Sequence, residues 1–224
     1  MARVSAAERR NDLIRAAIDV IAERGVDGAT TRRIAEAANA PLATLHYCFA
    51  SKEELFSDVL EHIAGEYHNV LARSDVNSDL ATTARGVLKG VMEWYLQSPS
   101  YSAAILELVS WAQRQDGAPA VVMYTEAFGV MRDIVRRSDG GQSLDDELVD
   151  EIAYVIANLS DGFVINWITF RDRDQSVRQM DVTVNVLDLW LAERISVPRP
   201  VAVVAEAAPA EPAGLQSLVS WVNL

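Results

Sequence analysis

Apolar residues recur along this 224-residue chain at separations of three and four, while strict alternation is nearly absent. That spacing lines side chains along one face of a helix, whereas a half-buried strand needs a period of two. Caps and breakers divide the pattern into segments. Ser5 and Glu8 make a capping-box pair ahead of the stripe Leu13, Ile14, Ala17, Ile18 and Ile21, and Gly25 stops that helix. Thr30 or Thr31 can cap a short helix carrying Ile34, Ala37 and Ala38 inward. Asn39-Ala40-Pro41 breaks it, and proline suits the first turn of a third short helix, Leu42 to Phe49. Ser51 and Glu54 repeat the capping box and open a longer helix through about Ala72.

Five more helices are expected beyond it. Asp79 caps a helix to Gln97, which Ser98-Pro99 interrupts; Tyr101 to Gln115 follows, and Pro119 begins another that runs to about Arg137. Ser138-Asp139-Gly140-Gly141 is the clearest loop. Ser143 starts a long helix to about Arg171, with Asp145, Asp146 and Glu147 favourable to the dipole in its first turn. Ser176 to Ile195 forms the last. From Ser196 the texture becomes rich in Pro and Ala, as in linkers, before Leu215, Leu218, Val219 and Val222 suggest a short amphipathic terminal helix. The expectation is an all-α chain of about nine helices with no strands. Its parts are an N-terminal three-helix unit (1–51), a larger helical domain (52–195) and a tail (196–224).

Composition narrows the chemistry. A single cysteine, Cys48, excludes an internal disulfide framework and a multi-cysteine zinc site. His46, His62 and His68 lack metal-ligand spacing, because a separation of six puts His62 and His68 on different helix faces. No metal, cofactor or catalytic constellation is expected. Ile152 to Phe170 is long and weakly charged, but Asp161 near its middle is costly in a lone membrane span, so a buried helix is expected there. The N-terminus lacks the apolar core of a signal peptide, which points to the cytoplasm. Arginine outnumbers lysine 18 to 2, and that carries no functional weight.

The net charge of −12 argues at first against a nucleic-acid partner. Residues 1–52, however, carry eight basic against six acidic side chains, so the negative excess lies in the remainder. Within this basic end, residues 30–52 read TTRRIAEAANAPLATLHYCFASK. Two short helices flank a three-residue break. Ile34, Ala37, Ala38, Leu45 and Phe49 suffice to bury one face of each against the first helix, which leaves Leu42, Ala43, Thr44, His46 and Tyr47 more exposed. A helix-turn-helix needs this arrangement, with the second helix free to enter a major groove.

These residues resemble the TetR (tetracycline-repressor) family of one-component transcriptional regulators. The likeness lies in a helix before Gly25, in Thr30-Thr31-Arg32-Arg33-Ile34-Ala35-Glu36-Ala37-Ala38, in Leu45-His46-Tyr47-Cys48-Phe49 and in Ser51-Lys52-Glu53-Glu54-Leu55, over about residues 9–60. The resemblance implies that Thr31 and Arg32 contact the DNA backbone and a base, and that Leu42, Ala43, Thr44 and Tyr47 face the groove. His46 and Lys52 would meet phosphates. The chain departs from the family pattern at Cys48, where Tyr or His is common, and at Asn39 and Pro41, in place of the usual Gly and Ser. Leu42 and Ala43 offer apolar contact only, so Arg32 or Arg33 is the best bidentate reader of guanine. Each residue has a plainer alternative. Arg32 and Arg33 also fit solvated helix charges, His46 a surface residue, Tyr47 an inward support and Cys48 a small half-buried hydrophobe.

The resemblance further implies that the acidic body binds an effector and dimerises, its last two long helices forming a four-helix bundle with a partner's. The helix becomes apolar nearly all round after Ile152, and the last one supplies Met180, Val184, Leu187, Leu189, Trp190 and Leu191. Asp161-Gly162-Phe163 mid-helix is typical of such regulators, with the glycine permitting close helix approach. Aromatic and methionine density suggests a pocket from Met92, Trp94, Tyr95, Trp111, Met123, Tyr124, Phe128, Met131, Phe163 and Trp167. Asn158, Asn166 and the Tyr124 hydroxyl are its candidate polar groups. A core filled by the same side chains is the competing reading. The expected function is a homodimeric, ligand-responsive repressor that leaves a pseudo-palindromic double-stranded operator when a small apolar or amphipathic effector binds. An all-helical enzyme acting on an apolar small molecule and an adaptor working through the tail helix are the alternatives.

Overall fold

The computed structural model describes residues 5–73 and 78–196; the tail helix expected over 215–222 lies outside them. The described residues form nine α-helices and no strand: α1 (Ala6–Gly28), α2 (Thr31–Ala37), α3 (Leu42–Cys48), α4 (Lys52–Ala72), α5 (Leu80–Gln97), α6 (Pro99–Ala112), α7 (Pro119–Arg137), α8 (Asp146–Phe170) and α9 (Arg173–Ser196). A single 3-10 turn, Gly141–Ser143, precedes α8. The chain is all-α, with an N-terminal helix-turn-helix followed by a larger helical part.

Local chemistry accounts for most boundaries. Ser5 and Glu8 close a full capping box on α1. The second box is only half formed: Ser51 accepts from the Glu54 amide, but Glu54 Oε2 reaches the amide of Ala50 rather than that of Ser51. Thr30, not Thr31, caps α2. The long helix α8 starts later than Ser143, because the Asp145 side chain accepts from the Leu148 amide at 2.7 Å while Ser143 belongs to the 3-10 turn. The last helix begins at Arg173, ahead of Ser176, as Asp172 Oδ1 accepts from the Gln175 amide at 2.9 Å. Gly25 interrupts α1 with φ 68° and ψ 172°, and the chain winds one further turn to Gly28.

Two apolar cores result. The first gathers Leu13, Ile18 and Ile21 of α1, Ile34, Leu45 and Phe49 of the helix-turn-helix, and Leu55, Phe56 and Val59 of α4. Ala104, Leu108 and Ala112 of α6 complete it. α6 packs along α1 and so buries Ala16 and Val20 as well, beyond the stripe the sequence marks. On α2 the second buried residue is Ala35; Ala37 is exposed and Ala38 half-buried, since only one face of a seven-residue helix meets α1. The second core joins α5, α7, α8 and α9, with Leu71 from the far end of α4. The fold thus holds α4 in both cores.

Candidate nucleic-acid interface and ligand cavity

The seven residues of α3 hold on by Leu45 alone, whose side chain is buried, with Phe49 just beyond. Arg10 supplies the rest of the grip. Its guanidinium donates to the Cys48 carbonyl, to Asp58 Oδ2 at 2.8 Å and to Glu54 Oε1 at 3.0 Å, and lies 4.2 Å from the Phe49 ring centroid. This one side chain of α1 therefore ties the end of α3 to α4. Asn39 adopts φ 49°, a left-handed conformation that asparagine tolerates better than most residues, and so makes the turn that glycine would otherwise serve. Pro41 takes the N-cap position of α3, which no side chain caps.

The opposite face of α3 is open. Ala43 and His46 are exposed, Leu42 is 39% exposed and Tyr47 84%, so Tyr47 is no inward support. Thr44 and Thr31 are half-buried. The cations around this face are held in local contacts. Arg32 Nε meets Glu36 Oε1 at 2.9 Å, and Arg33 Nη1 donates to the Gly28 carbonyl at 2.8 Å. Lys52 Nζ donates to the Val26 carbonyl at 3.1 Å and sits 4.9 Å from the Phe56 ring centroid. Contacts of exposed groups are weak enough for a phosphate to compete with them. Cys48 is half-buried and free.

The body encloses a cavity of about 60 Å³ between α4, α5, α6, α7 and α8. Tyr67, Trp94, Tyr95, Tyr124 and Phe128 wall it, and Asp161 is its carboxylate. Tyr124 donates to Asp161 Oδ2 at 3.0 Å. Burial raises the Asp161 carboxyl above its ordinary value, against a smaller opposing effect of that hydrogen bond. Burial, and then the Asp161 charge, pushes the Tyr67 and Tyr124 phenols up, so both stay protonated donors.

Of the residues the sequence nominates for a pocket, Trp94, Tyr95, Met123, Tyr124, Phe128 and Met131 come together here. The others lie elsewhere. Met92 is fully buried and Phe163 almost so, both within the second core. Trp111 stands edge-on to Phe56 at 5.5 Å and lines a separate outer cleft. Trp167 borders a groove beside Asp19 and Arg171. Asn158 and Asn166 are exposed and donate back to the carbonyls of Tyr154 and Gly162 on their own helix. Sequence reasoning missed Tyr67, His68 and Asp161 as lining residues. A signal existed: Asp161 follows Ala157 by one turn and brings a charge to the edge of an inward face of α8 whose other polar residue is Ser160.

Comparison with known proteins agrees with this geometry. The family profile described as bacterial regulatory proteins, tetR family, matches residues 13–59. The nicotine-responsive transcriptional repressor HdnoR of Paenarthrobacter nicotinovorans is 35% identical over 117 residues, which is 50% of this chain and 58% of that repressor. The transcriptional repressor NicS of Pseudomonas putida is 25% identical over 70% of this chain and 76% of its own length. In three dimensions the chain superposes on the fatty acid degradation regulator FadR of Bacillus halodurans with a TM-score of 0.66 at 18% identity, over 80% of this chain and 94% of that one. No helix among the described residues is long and apolar enough to cross a membrane. With the helix-turn-helix, the all-helical body and these relatives in agreement, the chain is similar to the TetR family of bacterial regulatory proteins, the family profile itself matching residues 13–59.

Proposed function

We propose that this protein is a ligand-responsive transcriptional repressor, a cytoplasmic homodimer that binds a pseudo-palindromic operator through residues 1–51 and an effector through residues 52–195. The observation that carries the reading is the open face of α3, with Leu42, Ala43, His46 and Tyr47 exposed on a helix locked from behind by Leu45, Phe49 and Arg10. Thr31, Arg32, Arg33, Thr44 and Lys52 surround it with donors for phosphate and base edges. The naming of HdnoR as nicotine-responsive and of NicS as a repressor supports effector control and repression, and nothing favours the all-helical enzyme.

Two features connect effector to operator. α4 begins at Lys52 beside the helix-turn-helix and lines the cavity from Ile63 to His68, with Tyr67 about 22 Å along its axis. A ligand that moves Tyr67 therefore moves the base of α3. For dimerisation, α8 exposes Tyr154, Ile165 and Phe170, and α9 exposes Val182, Val186 and Leu189. Gly162 shares that α8 face with open space around it, which leaves room for a partner helix. In the dimer the two copies of α3 would lie about 34–36 Å apart, one turn of DNA.

Selection of bound sequences from random and genomic DNA, repeated across a salt series, tests the proposal. The expected product is a two-fold symmetric site whose affinity falls steeply with salt. Binding without sequence preference, or no salt-sensitive binding, refutes it.

A further inference from the structure

The effector cavity carries a charge problem that a ligand could resolve. Asp161 is a carboxylate among five aromatic rings, and its one side-chain hydrogen-bond partner among the described residues is the neutral hydroxyl of Tyr124. No Arg or Lys lines the cavity, and no ion pair to Asp161 is present among the described residues. Asp161 is half-buried, and a carboxylate so placed without a counter-charge loses part of its hydration and gains little in return. The aromatic faces around it attract cations through their quadrupoles. Tyr67–Trp94 and Trp94–Tyr95 ring centroids lie 6.1 and 5.2 Å apart, edge-on and tilted, so the rings adjoin along the wall.

The approach has the same sign. An outer cleft of about 830 Å³ adjoins the cavity, sharing Ala64, His68 and Met123 with it. Glu53, Glu61, Asp116 and Glu126 line this cleft. Among the described residues, His68 is the only basic side chain in either lining. A field of that sign concentrates organic cations and repels carboxylates. The inner cavity has room for roughly four to six water-sized groups, enough for an ammonium head and its first carbons, while an apolar body can extend toward Met123 and the cleft.

We infer that the effector is an organic monocation, a protonated amine on an apolar body, whose ammonium group seats between Asp161 and the ring faces of Tyr67, Trp94, Tyr95 and Tyr124. The inference rests on the effector-binding role proposed above and gives it a chemical class. It also explains why the carboxylate stands within an aromatic wall: Asp161 neutralises the head, and the ring faces receive the rest of its positive surface.

Calorimetric titration of the full chain with 4-phenylbutylamine, 4-phenylbutanol and 4-phenylbutyrate tests it, since the three share a body and differ in head charge. The amine is expected to bind at least ten-fold more tightly than the alcohol, and the acid most weakly. Asp161→Asn keeps the shape and should bring the amine down to the affinity of the alcohol while leaving the alcohol unchanged. Tyr124→Phe removes the competing hydrogen bond and should keep or strengthen amine binding, which a merely structural role for Asp161 would not produce. Equal binding of the three, binding of none, preference for the acid, or an amine preference that survives in Asp161→Asn overturns the inference. The DNA selection is read separately. A chain that prefers the amine but selects no DNA sinks the repressor reading alone, and one that selects an operator with an indifferent cavity sinks only this one.

Discussion

Gly25 offers a test in which the sign of the effect is decided by one backbone angle. Inside a regular helix, replacing glycine by alanine stabilises by about 0.5–1 kcal/mol. Gly25 lies within the span of α1, yet its φ of 68° and ψ of 172° fall in a region essentially reserved for glycine. A residue with a Cβ held there costs about 1–3 kcal/mol. The added Cβ would also stand 3.1 Å from Glu107 Oε2, the oxygen that accepts from the Val26 amide at 3.3 Å. Glu107 is exposed and can swing aside, so this second effect is limited to the weak hydrogen bond, about 0.5–1.5 kcal/mol. The stiffer unfolded chain returns about 0.4–1 kcal/mol. The net expectation for Gly25→Ala is a loss of about 1–3 kcal/mol, read as a lower urea midpoint by far-ultraviolet circular dichroism at unchanged slope. In a Glu107→Ala background most of the loss should persist, because the backbone carries most of it. An unchanged or raised midpoint would refute the reasoning and return Gly25 to an ordinary helical position.

Other expectations follow from the same geometry. Burial holds the Asp161 carboxyl above 3.8, so the folded state keeps that proton more tightly than the unfolded chain. The associated stability is present at low pH and lost as pH rises through the folded value, so Asp161→Asn should melt above the parent protein at pH 7 and match it near pH 3. A lower melting point at pH 7 would contradict this. For Glu54 the sign is opposite. The Ala50 amide, and then Arg10, depress its carboxyl below 4.5, so its contribution is present above that pH and fades as pH falls. Glu54→Gln should therefore lower the melting temperature at pH 7 with a difference that narrows on acidification; a gap that is constant with pH would argue against it. Arg33→Ala should weaken binding to the selected operator across sequences and reduce the salt slope by about one, whereas an unchanged slope would place Arg33 off the phosphates.

What the sequence discloses and what it hides divide along range of interaction. Ser5, Thr30, Asp79 and Pro119 act within four residues, and the helices they start are where local chemistry puts them. Ser143 and Asp145 are rival starts for α8 two residues apart, and the 3-10 turn that absorbs Ser143 has no periodic signature. The burial of Ala16 and Val20 depends on α6, some eighty residues away, so no pattern within α1 can announce it. The cavity shows the same limit. Aromatic density marks the right helices, but whether a side chain on α5 or α8 faces the cavity, the core or solvent turns on rotations of tens of degrees, which separates Tyr95 from Met92 and Asp161 from Asn158. The exposed face of α3 is legible because the helix is short: with Leu45 and Phe49 turned inward, seven residues leave little choice about what points outward.

The placement of α4 bears on how such a protein can be cut and recombined. Leu55, Phe56 and Val59 near its start belong to the same core as Ile34 and Leu45, and Leu71 near its end belongs to that of Ile134 and Ile156. Ala104, Leu108 and Ala112 lend a third helix of the body to the first core. A fragment ending at residue 51 would therefore strip from this core the side chains of Leu55, Phe56, Val59, Leu60, Ile63 and Leu108 and open what remains to water. The N-terminal unit is not a cassette. Swapping operator preference between relatives by grafting should succeed when only the outward residues of α2 and α3 are exchanged, and fail when the graft junction falls at the start of α4.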